Sequence, residues 1–289
     1  MKHLSILFIS GLLALPLAAT AELRTWTNSS GKEITAEITA LSGDEITLKL
    51  ENGRTYTFPL ASLSAEDQEF ARNWQTGQAA LADAPAPRTE TILAVPGKVL
   101  YSDSLTGISG DWKMPHGEWS AGDEGLSGAE RAADDHAAVM KRAQVLKDVI
   151  IEFDVRLGEA SRVMFGIDDN KDHVCRVTLT PDSFQAQKDD NDHEGPDLAK
   201  PFNRVEERLD PEDWHTVRIE LVGEEMVAQT GDLISLGSDP LLATEKAKWG
   251  FIVSGPAAEF RDLTIWEASL SEDGEKNISR LKRRLDVED

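Results

Sequence analysis

The chain has 289 residues, 40% of them hydrophobic, with 52 acidic against 30 basic side chains and a formal net charge of -22. That length accommodates two domains and enough apolar material for a core. The charge argues against nucleic-acid phosphate or an anionic membrane as the main partner, leaving either a solvated acidic surface or an acidic, cation-binding cleft.

Residues 1–21 read as an export signal. Lys2 and His3 precede an apolar run over 4–18 that ends in Ala19-Thr20-Ala21, the small-x-small pattern of signal cleavage. The mature chain is then expected to begin near Glu22. The run is too short to span a bilayer and no later segment approaches about 18 apolar residues, so the expected product is secreted or periplasmic, with no transmembrane anchor after cleavage. The single cysteine, Cys175, lies between Val174 and Arg176 in a strand-like run, which predicts a buried structural thiol rather than a nucleophile.

Within 22–75, short β-type runs fall at 23–26, 33–41, 45–50 and 54–58, separated by turn residues; Asn52-Gly53 is a strong hairpin signal. Ser64-Ala65-Glu66-Asp67 opens a helix as a capping box, with Phe70 and Trp74 on one face. The expectation is a small SH3-like barrel closed by a helix. The order Trp26-Thr27-x-x-x-Gly31, Asn52-Gly53 and Pro59-Leu60-x-x-Leu63-Ser64-x-x-Asp67 resembles the Sla-type homology domain of secreted bacterial proteins. That resemblance implies binding or tethering. Residues 76–97, rich in Ala and Pro without periodicity, read as a linker.

From 98 to 270 nearly every predicted element is a strand: 98–102, 117–120, 125–129, 137–141, 149–157, 162–168, 173–180 and 183–188. Beyond these, Val217, Ile219 and Leu221 alternate with Thr216, Arg218, Glu220 and Val222, and a turn at 223–225 leads into a returning strand at 226–230. Further runs at 248–254 and 259–267 complete the set. The fold class is all-β, a concanavalin A-like jelly-roll sandwich after the small barrel. Glycine-rich phosphate loops, GxSxG elbows, HExxH and CxxC pairs are absent from the sequence.

Trp112-x-x-x-x-Gly117-x-Trp119, Trp214-His215-Thr216 and Phe260-Arg261-Asp262-Leu263 resemble the sandwich of the 3-keto-disaccharide hydrolase type and its laminin-G-like relatives. The resemblance spans 99–270 and implies a glycan or sugar derivative as ligand. Hydrolase members are expected to carry an Asn-Ser-Gly segment followed by a Tyr-Glu strand. Residues 161–167 and 173–176 carry neither, so no catalytic residue is carried over.

His136 follows Asp134-Asp135, and His173 closes the run Asp168-Asp169-Asn170-Lys171-Asp172. If strand ends converge, His136, His173 and Lys188 share a pocket fit for acid/base or metal chemistry; as turn formers the same residues carry no chemistry. Lys188 and Asp189 are candidates to meet a sugar hydroxyl or a substrate carboxylate. Asp190, Asp192 and Glu194 before Gly195 match the first half of a calcium loop, although its twelfth position is Pro201. Trp112, beside Gly110 and Asp111, is expected at the surface facing ligand, and Trp119, Trp214, Trp249 and Trp266 in the core.

In 271–289, Ile278, Leu281 and Leu285 recur at helical spacing, with Arg280, Lys282, Arg283 and Arg284 as a basic cluster. This predicts a short amphipathic helix on the acidic body, or a partner-binding tail. The leading functional expectation is an exported carbohydrate-associated protein whose sandwich binds a glycan while the small barrel tethers it. The alternatives are a 3-keto-type glycoside hydrolase and a structural protein of the envelope with a protein partner.

Overall fold

The computed structural model describes residues 23–82, 86–192, 194–195 and 198–287; the signal read in 1–21 and His193 lie outside them. The first unit, Met1–Ala79, and the second, Ala80–Asp289, are taken separately. Four antiparallel strands, β1 (Arg24–Thr27), β2 (Glu33–Ser42), β3 (Glu45–Leu50) and β4 (Thr55–Pro59), run in sequence order and precede helix α1 (Ala65–Ala82). The β3–β4 hairpin turns at Asn52-Gly53, where Gly53 has φ +79° and Leu50 N–H donates to the Arg54 carbonyl at 2.9 Å. Ser64 caps α1, its Oγ accepting the Asp67 N–H at 3.2 Å. The Asp67 carboxylate in turn takes the Thr27 N–H at 2.7 Å and Arg24 at 2.7 Å, fastening β1 to the helix.

The sheet is open and does not close into the expected barrel. Beyond its ladder with β2, β1 is followed by a lone bridge, Asn28 to Leu63. Ala71 and Trp74 of α1 pack with Trp26, Ile46 and Leu48, so a helix completes this core where strand closure was expected. Trp26 is fully buried and donates from Nε1 to the Ala36 carbonyl at 2.9 Å.

The second unit is a sandwich. One sheet has seven strands in the order β14-β13-β12-β11-β18-β9-β6, formed by β6 (Trp112–His116), β9 (Ala138–Leu146), β11 (Arg162–Asp168), β12 (His173–Thr180), β13 (Ser183–Lys188), β14 (Lys200–Val205) and β18 (Lys246–Ser254). The other has eight: β5 (Ala94–Asp103), β7 (Glu118–Gly122), β8 (Gly125–Ala129), β10 (Val149–Arg156), β15 (His215–Val222), β16 (Glu225–Thr230), β17 (Leu233–Ser238) and β19 (Ala258–Leu270). Alternation fills the space between them with Phe153, Phe165, Trp249, Phe251 and Phe260, all fully buried; the Phe251 and Phe260 ring centroids lie 4.2 Å apart.

Strands β6, β14 and β17 are additions to the predicted set. Pro115 and Pro201 disguise the first two, and both lie at sheet edges, where a missing N–H is tolerated. Trp112 overturns its expected exposure. It pairs with Arg142 across β6 and β9 and is 3% exposed, edge-on to Trp249 at 5.3 Å.

The outer face of the eight-stranded sheet is also covered. Residues 86–93 cross it as a strap, and α2 (Gly274–Leu285) lies beside them. Glu220, fully buried, accepts the consecutive N–H groups of Ile92, Leu93 and Ala94, each at 2.8 Å, and Arg218 Nε at 3.0 Å. Arg88 joins Glu152 at 2.8 Å and Asp154 at 2.9 Å. From the helix side, Asn277 Nδ2 donates to the Ile92 carbonyl at 3.1 Å, while Ile278 and Leu281 pack with Leu93, Val227 and Leu236.

Removing one partner of a buried charge network strands the other, at a cost of about 3–5 kcal/mol. Glu220→Ala is therefore expected to destabilise the second unit by about that much in a denaturant melt, and to expose the peptide bonds of 88–94 to proteolysis. Cys175 is fully buried, and burial pushes its thiol up to about 12. Native protein is expected to resist thiol reagents at neutral and mildly alkaline pH; labelling that matches the unfolded chain's rate contradicts that placement.

Candidate functional site

The outer face of the seven-stranded sheet offers the best candidate. Val163, Phe165 and Ile167 belong to the core, so Met164, Gly166 and Asp168 face outward on β11. The same alternation turns out Arg176 on β12, Gln187 on β13, Gly250 and Ile252 on β18, and Lys141 on β9. Register then lines up one row across five strands: Lys141 opposite Gly250, Gly250 opposite Gly166, Gly166 opposite Arg176, and Arg176 opposite Gln187.

Two adjacent glycines put buried backbone rather than side chain at the centre of that row, a stretch termed the trough below, over which the Ile252 side chain leans. A Cβ on Gly250 would fall 2.0 Å from the Met140 carbonyl oxygen, so β9 packs too closely for any other residue. At Gly166 a Cβ would meet the far end of the Ile252 side chain at 3.2 Å, so any larger residue there has to push Ile252 aside. Met164 and Ile252, one step along their strands, give the trough an apolar margin.

Its two ends are polar and held in place. At one end Asp168 accepts from Lys141 and from His173 Nδ1, the latter at 2.7 Å. At the other, Arg176 Nε donates to both oxygens of Asp189 at 2.8 Å, and Gln187 Nε2 reaches the same carboxylate at 2.7 Å. Burial raises the Asp168 pKa, but the hydrogen bonds and positive charges of His173 and Lys141 outweigh it and hold the group below the ordinary carboxylate value. The bond to Asp168 in turn raises the His173 pKa against a smaller opposing effect of burial. The result is an imidazole oriented by a carboxylate, its Nε2 lying 3.7 Å from Asp172.

The expected pocket of His136, His173 and Lys188 does not form. His136 precedes Ala138, which lies level with Val253 and Val163, whereas His173 pairs with Asp168. The levels of Ala138 and His173 are five residues apart along β11, about 16 Å at ~3.3 Å per residue, and His136 lies two residues before Ala138. His136 is exposed and stacks on His116, with centroids 4.3 Å apart, above a shallow cavity of ≈ 360 Å³ lined by Glu130, Arg131 and Asp135. Lys188 donates to the Leu198 carbonyl at 2.9 Å. Asp189 is 3% exposed and serves Arg176, so its carboxylate positions the arginine. Trp112 is in the core.

Asp190, Asp192 and Glu194 gather no metal shell. Among the described residues no group of three or more His, Cys, Asp or Glu side chains is placed to hold an ion, and the Asp192 carboxylate accepts the Glu194 N–H at 2.9 Å as an ordinary turn.

Lys141, Gly166, Arg176, Gln187 and Gly250 escaped the reading of the sequence as site residues. Their signal was present, since outward positions on a covered strand need not be Gly, Arg or Lys. Recognising the row required the strand register. Because protonated His173 is the form that Asp168 stabilises, this contribution to stability is complete below the ordinary imidazole pKa of 6.5 and is lost as pH rises through the raised folded value. In an NMR titration His173 is expected to have a midpoint above 6.5 that falls on Asp168→Asn.

Neither a family model nor a curated protein sequence matches the chain. Among solved structures it is similar to carbohydrate binding module CBM66 from Bacillus subtilis, with 16% identity, 56% of this chain and 99% of that chain covered, and a TM-score of 0.45. It is similar to a Bacillus subtilis protein of unknown function with a galectin-like fold, at 15% identity over 61% of this chain and 98% of that one, TM-score 0.47. It also resembles a Bacillus licheniformis β-glucanase, at 8% identity over 59% and 98% of the two chains, TM-score 0.42.

Proposed function

We propose that the second unit is a carbohydrate-binding sandwich whose ligand lies in the Gly166–Gly250 trough, and that the protein is exported with its small first unit acting as a tether. The observation carrying this reading is the contrast between the two outer faces. The eight-stranded sheet is covered by its strap and α2. The seven-stranded sheet carries a row in which Lys141, Arg176 and Gln187 bracket two residues without side chains. A sugar ring presents hydroxyls around an apolar body. Fixed donors at both ends and the Met164 and Ile252 margin match that distribution.

A second reading, glycoside hydrolysis of the 3-keto type, draws on the Asp168–His173 pair at the trough's end. A histidine oriented by a carboxylate suits general acid/base work, and the absence of a second, unpaired carboxylate in the row weighs toward binding.

The test is a screen of neutral glycans and 3-keto-glycosides by calorimetry and product analysis. Gly166→Leu, which fills the trough, is expected to weaken binding at least roughly ten-fold, equivalent to about 1.4 kcal/mol, in variants checked for an unchanged fold. His173→Ala is expected to spare binding while removing any turnover. Failure of the wild type to bind any glycan removes this reading and favours a structural envelope role.

A further inference from the structure

Helix α2 presents a second surface, on the other side of the sandwich. Its apolar face is used: Ile278 and Leu281 are buried against Leu93, Val227 and Leu236. The exposed side carries Lys276, Arg280, Arg283 and Arg284. Elsewhere in this acid-rich chain most arginines sit on carboxylates, as in Arg24 with Asp67, Arg131 with Asp134 and Arg142 with Asp111, while Arg54, Arg162 and Arg208 stand singly and form no cluster. Arg280, Arg283 and Arg284 have no ion-pair partner among the described residues, although 52 acidic side chains were available to supply one. Compensation of the helix dipole accounts for a positive last turn. That turn already contains Lys282, bonded to Glu225 at 3.2 Å, and the dipole's influence fades before Arg280.

We infer that this face of α2 docks an anionic polysaccharide strand. Arg280 lies three and four residues from Arg283 and Arg284, so neighbouring guanidinium groups are spaced by about 5–6 Å at their bases, and each can fork onto a carboxylate or sulfate. The partner's shape follows from the surrounding charge. Glu272, Asp273, Glu275 and Asp286 flank the stripe. A planar anionic bilayer or a broad nucleic-acid duplex would bring its own charge within the ~8 Å screening length of these acids, whereas a single polymer strand lying along the helix touches the arginines and leaves the acids to solvent. The exposed side offers no aromatic ring for base stacking, and the buried apolar face leaves nothing to insert into lipid. This site is separate from the trough and does not depend on it.

The test uses the full chain in affinity electrophoresis and calorimetry, with polygalacturonate, dextran sulfate, neutral dextran, duplex DNA and phosphatidylglycerol vesicles as probes. Polygalacturonate or dextran sulfate is expected to bind, to weaken as salt rises, and to bind roughly ten-fold or more weakly to the combined Arg280→Gln, Arg283→Gln and Arg284→Gln variant. Gly166→Leu is expected to leave that binding unchanged. Lys276→Gln alone, with thermal melts of each protein, separates a general loss of helix packing from loss of the arginines. The proposal is overturned by no retention of either polyanion, by equal retention in the triple variant, or by DNA or vesicles bound as tightly as the polysaccharides.

Discussion

A buried carboxylate organises the second unit. Glu220 sits at the centre of the eight-stranded sheet's outer face, where water cannot reach it, and an ionised side chain there is costly without full satisfaction. Three successive peptide N–H groups and one guanidinium provide it. The satisfaction is mutual. The N–H groups of 92–94 are sealed between sheet and helix and need an acceptor as much as the carboxylate needs donors. Glu152 and Asp154 repeat the device with Arg88 one strand away. Charge placed inside thus fixes a segment whose composition suggests a loose connection.

That arrangement decides which face is left for ligand. With one sheet roofed by strap and helix, the other has no such cover among the described residues, and the order of its outward residues across the sheet is set by backbone register. The same ladder that pairs Gly166 with Gly250 holds Lys141 and Arg176 on either side. Asp168 and Asp189 fix the two cationic ends without adding net negative charge to the trough.

Much of the architecture was legible in the sequence. The alternation in 213–230 gave β15 and β16, although the turn is one residue shorter than the expected 223–225, with Val222 opposite Glu225, and Ser64 with Asp67 gave the start of α1. What stayed hidden was long-range. Glu220 looked like an ordinary solvent-facing residue because its partners lie 126–128 positions away. Trp112 looked exposed because glycine and aspartate precede it, while the strand it enters turns its ring inward. The open four-stranded sheet was misread as a barrel because strand number was visible and the helix's share of the core was not. His136 and His173 were grouped because each stands at the start of a predicted strand, and only pairing reveals that the two starts lie at different levels of the sheet.

One detail at the far edge of the sandwich bears on how the folded protein behaves in a crowd. On β14, Asn203 uses its amide as a substitute peptide, donating to the Ile234 carbonyl and accepting the Leu236 N–H, both at 2.8 Å. Ser235 donates to the Asn203 carbonyl at 2.6 Å and accepts the Ala186 N–H, which the irregular β13–β14 register leaves without a ladder partner. Two terminal strands from different sheets are thereby stitched together, and hydrogen-bonding groups that would otherwise recruit a neighbouring molecule's strand are occupied within the chain. With Pro115 interrupting β6 at the opposite edge of the seven-stranded sheet, that sheet is guarded against edge-to-edge association at both ends.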